Sequence, residues 1–353
     1  MSQPITIALD AMGGDKGPTA TIGGAARALA ENPNLKFILF GRTADIEAQL
    51  KLYPALQKVS AIHHTDVVVA AHDKPSIALR QGRESSMRKA VEAVQDGRAG
   101  CVVSSGNTGA FMAMSKIVLK TLPGIHRPAI ASVFPTIHGY PVMMLDLGAN
   151  VECDAEMLVQ FAVLGAVYAR TVKGIEQPTV GLLNIGSEEM KGHEELREAA
   201  RILASIQFPG RFHGFVEGND IPLGTTDVVV TDGFTGNVAI KVAEGVAKLT
   251  GTFIRQAFAS SPFAALGALL AAGGMRRLKK RVDPRLYNGG MFLGLNGVCV
   301  KSHGGSDDVG VANALLRAAD LVATNFNARV AAEMAAVMNQ ESFLSPVSGE
   351  GGL

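Results

Sequence analysis

Short apolar runs rich in Val, Ile and Leu alternate along the chain with longer stretches in which apolar residues recur every three to four positions. The short runs predict strands at 6–10, 36–41, 59–63, 100–104, 129–135, 142–147, 180–185, 212–217, 227–231 and 297–301. The periodic stretches predict helices at 19–31, 44–52, 85–96, 109–120, 154–169, 194–205, from about 237 onward, and at 307–338. Asp154 has the position of an N-cap and Gly97 that of a helix stop. Apolar strands alternating with helices predict an α/β fold with a mainly parallel sheet covered on both faces. One stretch breaks the alternation. Ser261 and Pro262 open an Ala-rich apolar helix, 262–272, which Gly273 and Gly274 should end; Arg276, Arg277, Lys279, Lys280 and Arg281 follow. At ~1.5 Å per residue this helix spans about 16 Å, too short for a hydrocarbon core of ~30 Å. Phe263, Leu266, Leu269 and Leu270 are therefore expected either in an anionic membrane surface or in an interface between two copies.

Six glycine-bearing loops follow predicted strands: AMGGDKGP (11–18), SSGNTG (104–109), DLGAN (146–150), NIGSEEMKG (184–192), DGFTGN (232–237) and SHGGSDD (302–308). In an open parallel sheet such loops gather at the carboxyl edge, where ligands bind. Small residues there let backbone N–H groups reach an anion, and helix N-termini favour negative charge. The six loops are thus expected to line a single cleft for an anion such as phosphate. Ser104, Ser105, Gly106, Asn107, Thr108 and Gly109 form either a phosphate cradle or an ordinary strand–helix turn, without the spacing of a nucleotide P-loop. Lys191 either binds an anion and stabilises an oxyanion or pairs with Glu188 or Glu189 at the surface. Asn237 either donates to a carbonyl oxygen or caps the following helix. Asp10, Asp146, Asp232 and Asp307, at strand ends, either offer oxygen ligands to a cation or fix their own loops. His193 and His303 lie on two of the loops and are candidates for proton transfer.

Composition narrows the choices. Glycine numbers 40 of 353 residues and is concentrated in those loops, not in a low-complexity tract. The net charge of +1, the absence of Trp and only four Tyr argue against nucleic-acid binding. Three isolated cysteines, Cys101, Cys153 and Cys299, fit reduced thiols in a cytoplasmic protein. The opening MSQPITIALD runs straight into a strand, so no leader peptide is expected. No metal-ligand spacing, dinucleotide fingerprint or nucleophile elbow occurs.

Eight ordered strings, ALDAMGGDKGP, DKPSIALRQGRESSM, SSGNTGA, LDLGAN, LVQFA, LLNIGSEEMKG, VVTDGFTGN and GLNGVCVKSHGGSD, make the chain resemble the bacterial phosphate acyltransferases, the acyl-ACP:phosphate transacylases of phospholipid synthesis. The resemblance spans nearly the whole chain; Ser105, His193 and Gly305 depart from the usual alanine, asparagine and serine. It implies a three-layer α/β/α fold similar to isopropylmalate and isocitrate dehydrogenases, in one domain over 1–340 with a protruding helical segment at 250–290 and a disordered tail at 341–353. It implies a homodimer that transfers a long-chain acyl group from acyl carrier protein to inorganic phosphate, without cofactor or metal. The acyl phosphate would pass to a membrane glycerol-3-phosphate acyltransferase, and the protein would be cytoplasmic and peripherally membrane-associated. Lys191 and Asn237 become the implied catalytic residues. The implied phosphate and acyl-phosphate contacts are Asp10, Gly13, Gly14, Arg80, Ser85, Ser86, the loop 104–109, Asn150, Gly186, Asp232, Gly233 and His303. A CoA-dependent acyltransferase, a decarboxylating dehydrogenase of the same fold and a membrane-surface scaffold are the competing readings.

Overall fold

The computed structural model describes residues 4–281 and 283–340; the tail expected at 341–353 lies outside them. The first half runs β1 (Ile5–Asp10), α1 (Gly17–Glu31), β2 (Leu35–Gly41), α2 (Thr43–Leu50), α3 (Pro54–Gln57), β3 (Ser60–His64), α4 (Pro75–Gln81), α5 (Ser86–Gln95), β4 (Cys101–Ser104), α6 (Thr108–Leu119), β5 (Ala129–Phe134), β6 (Val142–Leu145) and α7 (Ala155–Thr171). The second half runs β7 (Thr179–Leu183), α8 (Glu194–Ser205), β8 (Arg211–Val216), α9 (Asp220–Leu223), β9 (Val228–Val230), α10 (Gly233–Ala259), α11 (Pro262–Leu270), α12 (Ala272–Arg281), β10 (Gly290–Leu293), β11 (Val298–Lys301), α13 (Asp308–Ala323) and α14 (Phe326–Met338).

All eleven strands share one sheet, in the order β3-β2-β1-β4-β11-β10-β5-β6-β9-β7-β8. Alternate residues face opposite ways, and each face is covered. Ile7, Leu9, Val103, Leu145, Leu182 and Val300 pack under α1, α7 and α13. Ala8, Val102 and Cys299 pack on the other face with Met87 of α5 and Phe111 of α6. The result is three layers, α/β/α. Helix α7 is buried at every position from Met157 to Ala169, so it lies in the core instead of presenting one apolar stripe.

Several sequence expectations change. The strand β10 was not predicted: it is four residues long and bounded by glycine. It pairs antiparallel with both β11 and β5, and β5 pairs antiparallel with β6. These three antiparallel pairings reverse the strand direction, so β6, β9 and β7 run opposite to β1, β4 and β11. The six loops therefore do not issue from one carboxyl edge. The predicted helix 307–338 is two helices. Asn325 adopts a left-handed conformation, φ 51°, which Asn tolerates better than most residues, and the Thr324 hydroxyl bonds back to the Asp320 carbonyl. Gly273 and Gly274 do not end a helix but lie inside α12. Helix α10 begins at Gly233, capped by Asp232, whose carboxylate accepts from Thr235 N–H at 2.8 Å. Asn237 is thus one turn inside the helix and is not its cap.

Candidate active site

The loops after β1, β4 and β11 interlock into a first nest. Asp15 N–H donates to the Gly304 carbonyl at 2.9 Å, and Ser302 N–H to Ser104 O at 2.9 Å. Gly14 is held at φ +85°, and a Cβ there would meet the Gly304 carbonyl at 2.9 Å; only glycine permits this approach. At the floor, Asp10 is 2% exposed, and its carboxylate accepts from the hydroxyls of Ser86 and Ser104, each at 2.7 Å. Burial raises its pKa above the ordinary carboxylate range, against the pull of those hydroxyls. Ser104 Oγ also accepts from Gly106 N–H at 3.0 Å. Ser105 Oγ is buried without a hydrogen-bond partner. Lys301 closes the floor; burial brings its ammonium down to about 8, with Asp10 and Asp15 acting in the opposite sense. Thr108, Gly109 and His303 lie exposed on the rim. His303 Nδ1 accepts from Gly305 N–H at 3.1 Å, which leaves the proton of a neutral ring on Nε2.

Three predicted ligand residues of this nest have structural work instead. Asn107 Oδ1 caps α6 at Ala110 N–H, while Nδ2 donates to the carbonyls of Ala71 and Asp73, both at 2.9 Å. The amide clamps the 70–74 segment and has no N–H turned to an anion. Ser85 caps α5 and donates to Gly82 O at 2.6 Å. Ser86 spends its hydroxyl on Asp10. Arg80 is exposed and pairs with no carboxylate among the described residues, so its guanidinium is available.

The loops after β6 and β9 make a second nest, and the loop after β7, next to β9 in the sheet, joins the same side. Its glycine-rich N–H groups are largely occupied from within. Asp146 accepts from the N–H groups of Ile130, Gly148, Ala149 and Asn150 and from Asn150 Nδ2. Burial raises Asp146, and those donors act against it. Asn150 Nδ2 also donates to Pro128 O, and Gly233 N–H donates to Asn150 O. Gly236 is required here, because a Cβ would fall 1.9 Å from the Asp146 carbonyl. Asp146, Asn150 and Asp232 thus fix the loops. Asn237 leans on Gly148 and is exposed. Lys191 is exposed on the loop after β7 and forms no ion pair among the described residues, so the expected pairing with Glu188 or Glu189 is not made. Gly186, in the same loop, is buried against the Lys191 side chain. His193 precedes α8 without a side-chain cap bond.

Asp307 also has a local task. It caps α13 at Gly310 N–H and accepts from Arg285 at 2.9 Å. All four strand-end aspartates are therefore engaged by loop, hydroxyl or guanidinium donors. Sequence reasoning missed Lys301 and Asn288. Asn288 Nδ2 donates to Ser302 Oγ, Ser306 Oγ and Gly310 O, and its Oδ1 accepts from His303 N–H, which fixes the loop after β11. A lysine closing the run VCVK was the available signal for Lys301; nothing in the sequence around Asn288 sets it apart from a turn residue.

Comparison with known proteins places this geometry. A family model described as fatty acid synthesis protein matches residues 5–329. The phosphate acyltransferase of Rhodospirillum centenum is 57% identical over 352 residues, covering 99% of both chains. That of Rhodospirillum rubrum is 52% identical over 98% of this chain and 99% of its own. Among solved structures, a phosphotransacetylase from Streptococcus pyogenes aligns with TM-score 0.60 at 17% identity, over 91% of this chain and 94% of its own. The EutD phosphotransacetylase from Staphylococcus aureus aligns with TM-score 0.58 at 15% identity over the same shares; these two are alike in fold. With a family model over most of its length and relatives above half identity from end to end, the chain belongs to the phosphate acyltransferase family.

Proposed function

We propose that this enzyme transfers a long-chain acyl group from acyl carrier protein to inorganic phosphate, releasing an acyl phosphate for phospholipid synthesis. The observation that carries the reading is the first nest, three interlocked glycine loops with hydroxyls and a cation at their floor, in a chain of this family. Inorganic phosphate is already anionic near neutral pH, so a strong base is not required. A phosphate oxygen attacks the thioester carbonyl carbon, the carbon–sulfur bond breaks, and the carrier leaves as a thiolate that takes a proton from solvent. Holding the two reactants together removes much of the entropic barrier. Lys191 and Asn237 are assigned to the oxyanion of the tetrahedral intermediate, where each donor is worth roughly 3 kcal/mol; their loops leave the sheet edge opposite the first nest, so the assignment calls for these two residues from a second copy of the chain. Arg80 and the rim of the first nest are assigned to the incoming anion.

The same reading includes a homodimer and a membrane contact. Helix α10 carries Phe234, Val238, Val242, Val246, Leu249 and Phe253, all exposed, at spacings of three and four residues. Over its 27 residues only Gly233 and Gly236 are buried, and at ~1.5 Å per residue the helix is about 40 Å long. A second copy is the partner assigned to that stripe. Helix α11 follows at a 117° bend and buries no residue. Phe263, Leu269 and Leu270 are at least 72% exposed, and Arg276 and Arg277 are exposed beyond them. No single described helix is long and apolar enough to cross a membrane. An apolar tip beside cations suits the headgroup boundary of an anionic bilayer, and the product, carrying a long acyl chain, would be delivered there to a membrane glycerol-3-phosphate acyltransferase.

The test is incubation of the purified protein with palmitoyl-ACP and radiolabelled phosphate, with palmitoyl-CoA as the competing donor. Labelled acyl phosphate from the ACP substrate is expected without added metal or nucleotide. Product from the CoA donor alone would assign the enzyme to the CoA-dependent class, and no product across C12 to C18 donors would refute acyl transfer.

A further inference from the structure

Asp10, Ser104 and Lys301 occupy one register row across the parallel strands β1, β4 and β11. Side chains in one row point to the same face. The row two residues earlier, Ala8, Val102 and Cys299, is apolar and buried beneath α5 and α6. A polar row therefore sits directly on an apolar one, at the strand ends from which the first nest rises. Lys301 is 8% exposed, and its Nζ donates to the adjacent Ser302 carbonyl. An ammonium taken out of water costs several kcal/mol unless it is paired and fully hydrogen-bonded. Asp10, in the same row, supplies an opposite charge, yet both its oxygens already accept serine hydroxyls. A methionine or leucine would extend the apolar row without that cost, so packing does not account for a lysine here.

The second observation is Ser105. Its hydroxyl is buried, at 3% residue exposure, and lacks a partner. Its Cβ lies 3.0 Å from where a Cβ on Gly14 would sit, and the Gly304 carbonyl is 2.9 Å from the same point. Ser105 thus stands where the three loops of the first nest meet. A buried donor with no acceptor is rare in a folded protein. Lys301 is the register neighbour of Ser104, the residue before Ser105, so a buried cation and an orphan hydroxyl stand on adjoining strand ends beneath one nest, a pairing that suits a tetrahedral oxyanion.

We propose that Lys301 and Ser105 are binding residues for a phosphate oxyanion in the first nest, Lys301 as its cation and Ser105 Oγ as a hydroxyl donor. The assignment of that oxyanion to the phosphate nucleophile rests on the acyl-transfer reading. The same chemistry is offered by the phosphodiester of the carrier protein's prosthetic arm, and kinetics separates the two sources.

The experiment uses the full-length protein and measures phosphate binding by calorimetry and KM for each substrate, in Lys301→Met, Asp10→Asn with Lys301→Met, Lys301→Arg and Ser105→Ala. Lys301→Met should weaken phosphate binding and raise KM for phosphate by about 10²-fold, the scale for losing one partner of a buried charged contact, with KM for acyl-ACP unchanged. The double variant removes both buried charges; it should recover melting temperature but keep the weakened phosphate binding. Ser105→Ala should fold normally and raise KM for phosphate by about 3- to 10-fold, the scale of one neutral hydrogen bond. Recovery of phosphate affinity in the double variant would overturn the proposal by showing that Lys301 only balances Asp10. A rise confined to KM for acyl-ACP would move the oxyanion to the carrier's arm and overturn the assignment to free phosphate. If Lys301→Met fails to fold, the double variant and Ser105→Ala decide: unchanged phosphate affinity in both overturns it, and Lys301→Arg, which keeps the charge, should bind phosphate far better than the double variant. Absence of acyl transfer by the wild type would sink the functional reading alone, because calorimetry would still test the site.

Discussion

Replacing Asp146 by Asn should destabilise the fold by about 3 kcal/mol, the scale for stranding buried donors, although the two side chains have nearly the same shape. Asp146 is fully buried, and its oxygens accept from five N–H groups of Ile130, Gly148, Ala149 and Asn150. An asparagine amide keeps one oxygen and turns an NH2 group toward donors that already point inward. At least two of them lose their acceptor, at roughly 1–3 kcal/mol each. Part of this is offset, because burial raises the Asp146 carboxyl and a neutral residue avoids that desolvation. For a chain of 353 residues, with an unfolding entropy of about 2.1 cal/mol/K per residue, the net loss lowers Tm by about 4 °C. Urea unfolding at pH 7 and scanning calorimetry give the two quantities. Asp232→Asn is the control: Asp232 has a single capping bond to Thr235, and Asn caps a helix as well as Asp, so its stability should stay within about 0.5 kcal/mol of wild type. If Asp146→Asn behaves like Asp232→Asn, the carboxylate does not anchor its loop and the hydrogen-bond reasoning is wrong.

Lys191→Ala and Asn237→Ala should each lower kcat/KM by at least ~10²-fold, with little change in Tm because both side chains are exposed; near-wild-type rates in both would remove them from the mechanism. Leu269→Glu combined with Leu270→Glu should reduce sedimentation with anionic liposomes while dimerisation and soluble acyl-ACP turnover stay near wild type. Retained liposome binding, or loss of the dimer, would assign α11 to the interface between copies.

The layers were legible in the sequence because periodicity reports which residues are buried, and burial is a local property of each element. The direction of β6, β9 and β7 was not legible, because it depends on how many antiparallel strands intervene. The deciding strand, Gly290–Leu293, is four residues long and begins at a glycine pair, so its pattern resembles a turn. The same limit applies to chemistry. DLGAN and SSGNTG look alike as glycine loops, yet one contains a carboxylate that takes up the loop's own N–H groups, while the other sits above a carboxylate directed to two serine hydroxyls. Glycine content therefore marks where backbone N–H groups can converge, and the placement of the nearest acid determines whether they remain available to a ligand. By that criterion the nest around Asp146 is self-satisfied, and Lys191 and Asn237 are exposed on its loops. The nest around Asp10 retains an unpartnered hydroxyl and a buried cation. The proposed holding of the anion on the Asp10 side rests on this difference in hydrogen-bond satisfaction, which two loops of similar sequence could not have displayed.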